Sequence, residues 1–204
     1  LLVNMHSPGV TVRPLVQISG DPEFNEVFFE DVRVPKENLV GEKNNGWQVA
    51  MTTLMFERAN FGMIYNLDPM LERLQKTLKD LEKDDQPAVN DTSVRQQIAA
   101  FHIEIQALKY NGYRQLTRQL RGDPPGPEGS ISKLAGSELY VRMAHFAMEV
   151  LGAHSQCALG EERGRDNGFW SRRALGSRLY TIAGGTSEIM RNIVGERVLQ
   201  LPKG

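Results

Sequence analysis

The chain has one cysteine, Cys157, in 204 residues, so it cannot close an internal disulfide, a usage that fits a reducing compartment. It has no apolar run near the roughly 18 residues of a membrane span and no basic-then-apolar leader. It also has almost no net charge: 24 Lys and Arg against 25 Asp and Glu leave −1. Without a long-range field, recruitment of nucleic acid or of an anionic membrane is excluded as the main business of the chain. The arginine groupings do not restore one, because Arg172-Arg173 is only a doublet and Arg114, Arg118 and Arg121 space as one solvated helix face. No metal-ligand cluster is spelled out; Cys157 beside His154 reads as packing rather than as a ligand pair or nucleophile. The first residue is Leu1 rather than Met, which reads as a piece of a longer protein. With 40% hydrophobic and 24% charged residues, the expectation is one soluble globular domain with a small appended piece.

Residues 1 to 40 alternate apolar and polar positions. Leu1–Met5, Val10–Val16, Asn25–Phe29 and Val32–Val34 read as three or four short strands, punctuated by Ser7-Pro8-Gly9 and Ser19-Gly20-Asp21-Pro22. Strands so few need partners to be stable, so they read as the tail of a larger sheet. From Gly46 the period turns helical. Trp47, Ala50, Leu54, Glu57, Phe61 and Ile64 fall on one stripe expected to face inward. A second helix after Asp68-Pro69 gathers Met70, Leu71, Leu74, Leu78 and Leu81 on one face. Asn90-Asp91-Thr92-Ser93 caps a third, with Ile98, Phe101, Ile105, Leu108 and Tyr110 inward to about Leu120. The Pro/Gly-rich stretch 122–129 must be a loop. Ser130 to Leu151 is helical again, with Leu134, Leu139, Met143, Phe146 and Val150 inward; Gly152 to Asn167 reads as loop, Phe169 to about Thr181 as a short helix or mixed segment, and Ser187 to Leu199 as the last helix. The fold class expected is therefore mainly α, an antiparallel four-helix-type bundle preceded by the last strands of a β-domain, with 1–42 in the β part and 43–204 in the bundle.

Two places carry chemistry. Ala183-Gly184-Gly185-Thr186-Ser187-Glu188 puts two glycines before a Thr N-cap, a turn whose backbone a ligand can touch and whose helix start favours a phosphate or a carbonyl oxygen. The same string is equally an ordinary turn into a helix. Glu57 falls on the inward stripe between Leu54 and Phe61, where a carboxylate is costly unless paired or kept for a purpose, and where burial would bring it toward the range of a general base. Equally, a small rotation of the helix sets Glu57 on the bundle edge beside a cation.

Tyr180 through Arg191 resembles the C-terminal signature of the acyl-CoA dehydrogenase superfamily, and Phe28 through Gly41 followed by Gly46-Trp47-Gln48-Val49-Ala50-Met51 resembles that family's passage from its β-domain into its helical domain. The resemblance, which extends to actinobacterial members, implies FAD-dependent α,β-dehydrogenation of an acyl-CoA thioester. Most members carry the catalytic glutamate at the position of Gly184. A minority, similar to the isovaleryl and long-chain enzymes, place it on the first helix of the C-terminal domain, where this chain has Glu57-Arg58. The resemblance thus makes Glu57 the base, Met55, Arg58, Gly184 and Gly185 the neighbours of the thioester, and Thr186, Ser187 and Glu188 the contacts to FAD. It further implies an electron-transferring flavoprotein as acceptor, a homo- or hetero-tetramer, and a bacterial cytoplasmic location.

The resemblance has gaps. The family's R-K-x-F-G segment is not recognisable in Asp80–Pro87, Thr92 falls near the position of a following glutamine, and the Q-x-x-G-G loop survives only as Glu149-Val150-Leu151-Gly152-Ala153. Those elements reach the FAD of a neighbouring subunit. Their loss leaves room for a non-catalytic partner subunit of a heteromeric dehydrogenase, and the same fold also serves an acyl-CoA oxidase or related flavoenzyme. The residues that hold the flavin ring in the β-domain would lie before Leu1, so these residues alone are not expected to bind FAD tightly.

Overall fold

A computed structural model describes residues 1–58, 66–83, 85–161 and 163–203. The chain divides into two compact units, Leu1–Leu54 and Met55–Gly204.

In the first unit, β1 (Val10–Leu15) and β2 (Phe24–Phe29) form an antiparallel hairpin with Val10 opposite Phe29 and Leu15 opposite Phe24. Gly9 makes the entry possible: its φ is +89° and a β-carbon there would stand 2.0 Å from the Glu30 carbonyl oxygen. The strands number two, not three or four. Leu1–Met5 is held instead by the Leu2 amide, which donates to the Asn38 carbonyl, and by the Asn38 side chain, which donates to the Leu2 carbonyl, while Val32–Val34 runs unpaired into Pro35. Alternation alone does not supply a ladder partner. Val12, Leu15, Phe24, Val27, Phe28 and Phe29 are all exposed, so the hairpin covers neither of its own faces.

Helix α1 is described over Gly46–Arg58. Its expected inward stripe is corrected: Trp47, Ala50 and Glu57 are exposed, Leu54 is half-buried, and Phe61 and Ile64 lie outside the described residues. Helical spacing puts apolar groups on one side of a cylinder without saying what covers that side.

The core belongs to the second unit. Helix α2 (Leu67–Lys79) buries Leu67, Met70, Leu71, Leu74 and Leu78. A small hairpin, β3 (Glu82–Lys83) with β4 (Gln86–Pro87), turns the chain into α3 (Thr92–Leu120). Asp91 caps α3 by accepting from the Ser93 amide at 2.8 Å, as the sequence predicts. Val94, Ile98, Phe101, Ile105 and Leu108 face the core, but Tyr110 is exposed because one helical turn beyond Ile105 the face has already rotated to Leu108 and Gly112. Helix α4 (Gly129–Leu151) is the centre, burying Leu139, Tyr140, Met143, Ala144 and Ala147, with Leu134, Phe146 and Val150 half-buried. Its small residues admit close neighbours: Ser132 accepts from both Asn111 (2.8 Å) and Gln115 (2.9 Å) of α3. Two tight turns, Gly152–Gln156 and Arg165–Gly168, occupy the stretch expected as plain loop. Helix α5 (Phe169–Gly176) buries Trp170 completely, and α6 (Ser187–Ile193) continues into a wider turn over Val194–Val198. Six α-helices among the described residues make the fold mainly α, an antiparallel helical bundle.

Candidate active site

The turn before α6 has the conformation its glycines imply. Gly184 and Gly185 take φ of +68° and +112°, a region where other residues meet steric strain. The turn is anchored behind by the amides of Ile182 and Ala183, which donate to the Leu179 carbonyl at 3.1 and 2.9 Å. Ahead of it, Thr186 is the N-cap, and its hydroxyl accepts from the Ile189 amide at 3.4 Å. Arg191 of α6 reaches Glu138 of α4 at 2.5 Å and so ties the helix to the bundle.

Two charged side chains border the open side of the turn. A β-carbon built on Gly184 would stand 3.6 Å from Glu57 Oε1 and 4.0 Å from Lys133 Cε, with no backbone atom among those near neighbours. The gap that glycine leaves therefore faces a carboxylate from α1 and a lysine stem from α4. The lysine continues past the gap, and its Nζ donates to the Gly185 carbonyl. Glu57 is exposed rather than buried, so the inward placement is corrected; it stands at the edge, with its carboxylate turned to Gly184.

The remaining residues fall around this pair. Met55 is half-buried on the same helix as Glu57, and the side chain of Arg58 lies outside the described residues. Ser187 is buried at the first position of α6, whereas Glu188 is exposed. The Glu188 carboxyl is held below its ordinary range chiefly by its own backbone amide at the helix start and by the Thr186 hydroxyl, with further help from Arg191 and Lys133. Sequence reasoning missed Lys133. A lone lysine in a long helix carries no mark, and its acceptor lies 52 residues further on.

Chemically, the arrangement offers a carboxylate able to accept a proton, a left-handed turn with room for a ligand atom against its backbone, and a lysine bonded to that turn. A second polar cluster lies in the same unit. Arg73 makes a two-pronged bond to Asp166 (2.7 and 2.8 Å), Thr77 donates to Asp166 and accepts from the indole of Trp170 at 3.1 Å, and the Arg73 guanidinium stacks 3.6 Å above the Phe169 ring. Beside it is a cavity of about 240 Å³ lined by Tyr140, Phe169, Arg173 and Tyr180. Burial drives the Tyr140 hydroxyl up to about 12, so it stays protonated there.

Comparison with known proteins follows the same lines. The family described as acyl-CoA dehydrogenase, C-terminal domain, matches residues 44–199. The acyl-CoA dehydrogenase IpdE1 of Mycolicibacterium smegmatis is 37% identical, covering 100% of this chain and 49% of that protein. The protein of the same name from Mycobacterium tuberculosis is 34% identical, covering 100% of this chain and 50% of its own length. Among solved structures, the ChsE4-ChsE5 complex from Mycobacterium tuberculosis matches with a TM-score of 0.84 at 25% identity, covering 99% of this chain and 52% of that one. The chain thus spans about half the length of the curated relatives it matches.

Proposed function

This chain belongs to the acyl-CoA dehydrogenase family, and from that premise we propose that it supplies the C-terminal part of a flavin-dependent enzyme that dehydrogenates an acyl-CoA thioester between its α- and β-carbons. Residues 1–42 are then the end of a β-domain and 43–204 the helical domain. The observation that carries this reading is the Glu57 carboxylate standing 3.6 Å from where a side chain on Gly184 would begin. The base common at the turn in this family is absent, and a carboxylate from α1 faces the vacated space.

In this reading Glu57 takes the α-proton of the thioester. The proton of a carbon beside a thioester is far too weakly acidic for a carboxylate unless charge on the carbonyl oxygen is met by fixed donors, a part the backbone of the Gly184 turn would play in this reading. Gly185 keeps side chains out of the approach; Met55 and Arg58 flank the acyl-CoA. The residues fit FAD: two left-handed glycines leave an open backbone, and Thr186, Ser187 and Glu188 would hold the cofactor at the start of α6. When bound, FAD supplies the acceptor for the hydride leaving the β-carbon. Electrons would pass to an electron-transferring flavoprotein, and the assembly would be a tetramer in the bacterial cytoplasm. The test is Glu57→Gln in the full-length flavoprotein with a dye acceptor. Turnover should drop by about two to four orders of magnitude on loss of a positioned base; full turnover would remove Glu57 from that role.

A heteromeric assembly is the second reading. It is favoured by the match to a solved complex of two different proteins and by the exposure of Glu57 and of the α1 stripe in this chain. Purification of the full-length chain alone without flavin absorbance in the visible, and recovery of that absorbance on adding a partner, would support it.

A further inference from the structure

Lys133 is half-buried in the second turn of the long helix α4, where an ammonium group needs acceptors to offset its desolvation. It finds one in the carbonyl of Gly185, the second of the two left-handed residues. Its stem runs past Gly184, so Lys133 Cε and Glu57 Oε1 lie within 4.0 Å of the same point, the place a side chain at 184 would occupy. A turn made of two glycines is the part of the chain with the most conformations to lose, and one strong bond to its carbonyl restricts it more than any side chain of its own could.

We propose that Lys133 is a positioning residue of this site: by holding the Gly185 carbonyl it fixes the direction of the Gly184–Gly185 backbone. This role does not depend on the reading of Glu57 as the base. The charged groups described around the turn are Glu57 from α1, Lys133 and Glu138 from α4, and Glu188 and Arg191 from α6. Arg191 is engaged by Glu138 at 2.5 Å and stands 4.0 Å from Glu188, which leaves Lys133 as the described cation that borders the gap facing Glu57.

The test uses Lys133→Met and Lys133→Arg in the full-length protein with its flavin. Amide hydrogen exchange is followed over residues 183–187 and, as a control for folding, over the core of α4 around Leu139 and Met143. Lys133→Met is expected to speed exchange in the turn at least about tenfold while the α4 core keeps its protection, with Lys133→Arg restoring much of the difference. Unchanged exchange in the turn of Lys133→Met would overturn this role. If Glu57→Gln retains full turnover while the exchange result holds, the base assignment fails and the anchoring role of Lys133 stands.

Discussion

Two stretches of left-handed backbone in the helical unit use glycine for opposite ends. Asp166, Asn167 and Gly168 take φ of +53°, +55° and +70°, and the stretch is closed: a β-carbon on Gly168 would stand 2.2 Å from the Ala158 carbonyl oxygen. Arg73, Thr77 and Trp170 lock it from α2 and α5. Gly184 and Gly185 form a second stretch, and among the described residues the nearest neighbours across the gap of Gly184 are a carboxylate oxygen and the tip of a lysine stem. In the first, glycine is needed because the protein's own backbone fills the space. In the second, glycine keeps space clear, and the groups facing it can do chemistry.

The sharpest way to break this contrast is to add one methyl group at each place. Gly168→Ala meets backbone that cannot move and adds left-handed strain, so it should cost about 3 kcal/mol or more of stability, read as a large fall in Tm of the full-length protein. Among the described residues Gly184→Ala meets only flexible side-chain ends; its cost should be the strain alone, about 1 kcal/mol. Its turnover, in contrast, should fall at least about tenfold with a dye acceptor, because the methyl group occupies the gap between Glu57 and the turn. Equal losses of stability at the two positions would dissolve the distinction between closed and open.

A smaller effect sharpens the description of the open turn. The Glu188 carboxyl lies below its ordinary value of 4.5 in the folded protein, first through its own backbone amide and then through the Thr186 hydroxyl. A folded-state value that is lowered gives stability that is present above the ordinary value and lost as pH falls through the folded one. Glu188→Gln should therefore shrink the gap in Tm between about pH 6 and pH 3, by a modest amount because the side chain is exposed. An identical acid profile for the variant would show that α6 gains nothing from the charge.

Much of this was legible in the residues themselves. Leucine spacing in 67–81 marks the buried face of α2, Asp91 two residues before Ser93 marks the start of α3, and Gly184-Gly185-Thr186 marks a left-handed turn into a capped helix. These are local rules, satisfied within a few residues. What was not legible depends on neighbours far away in sequence. The stripe of α1 is drawn correctly by its spacing yet left uncovered at Trp47, Ala50 and Glu57. Tyr110 continues the apolar pattern of α3 but falls off its buried face. Lys133 meets Gly185, and Asp166 meets Arg73 across 93 residues, through contacts that no periodicity encodes.

The central claim is that the carboxylate on α1, not a group in the turn, removes the proton. Its most direct measurement is exchange of the α-proton of a bound, non-oxidisable acyl-CoA thioester in deuterated water, followed by NMR with the full-length flavoprotein. Deuterium should wash in at the α-carbon with the native protein, and that rate should drop by about two to four orders of magnitude with Glu57→Gln. Exchange at the native rate in Glu57→Gln would contradict the claim.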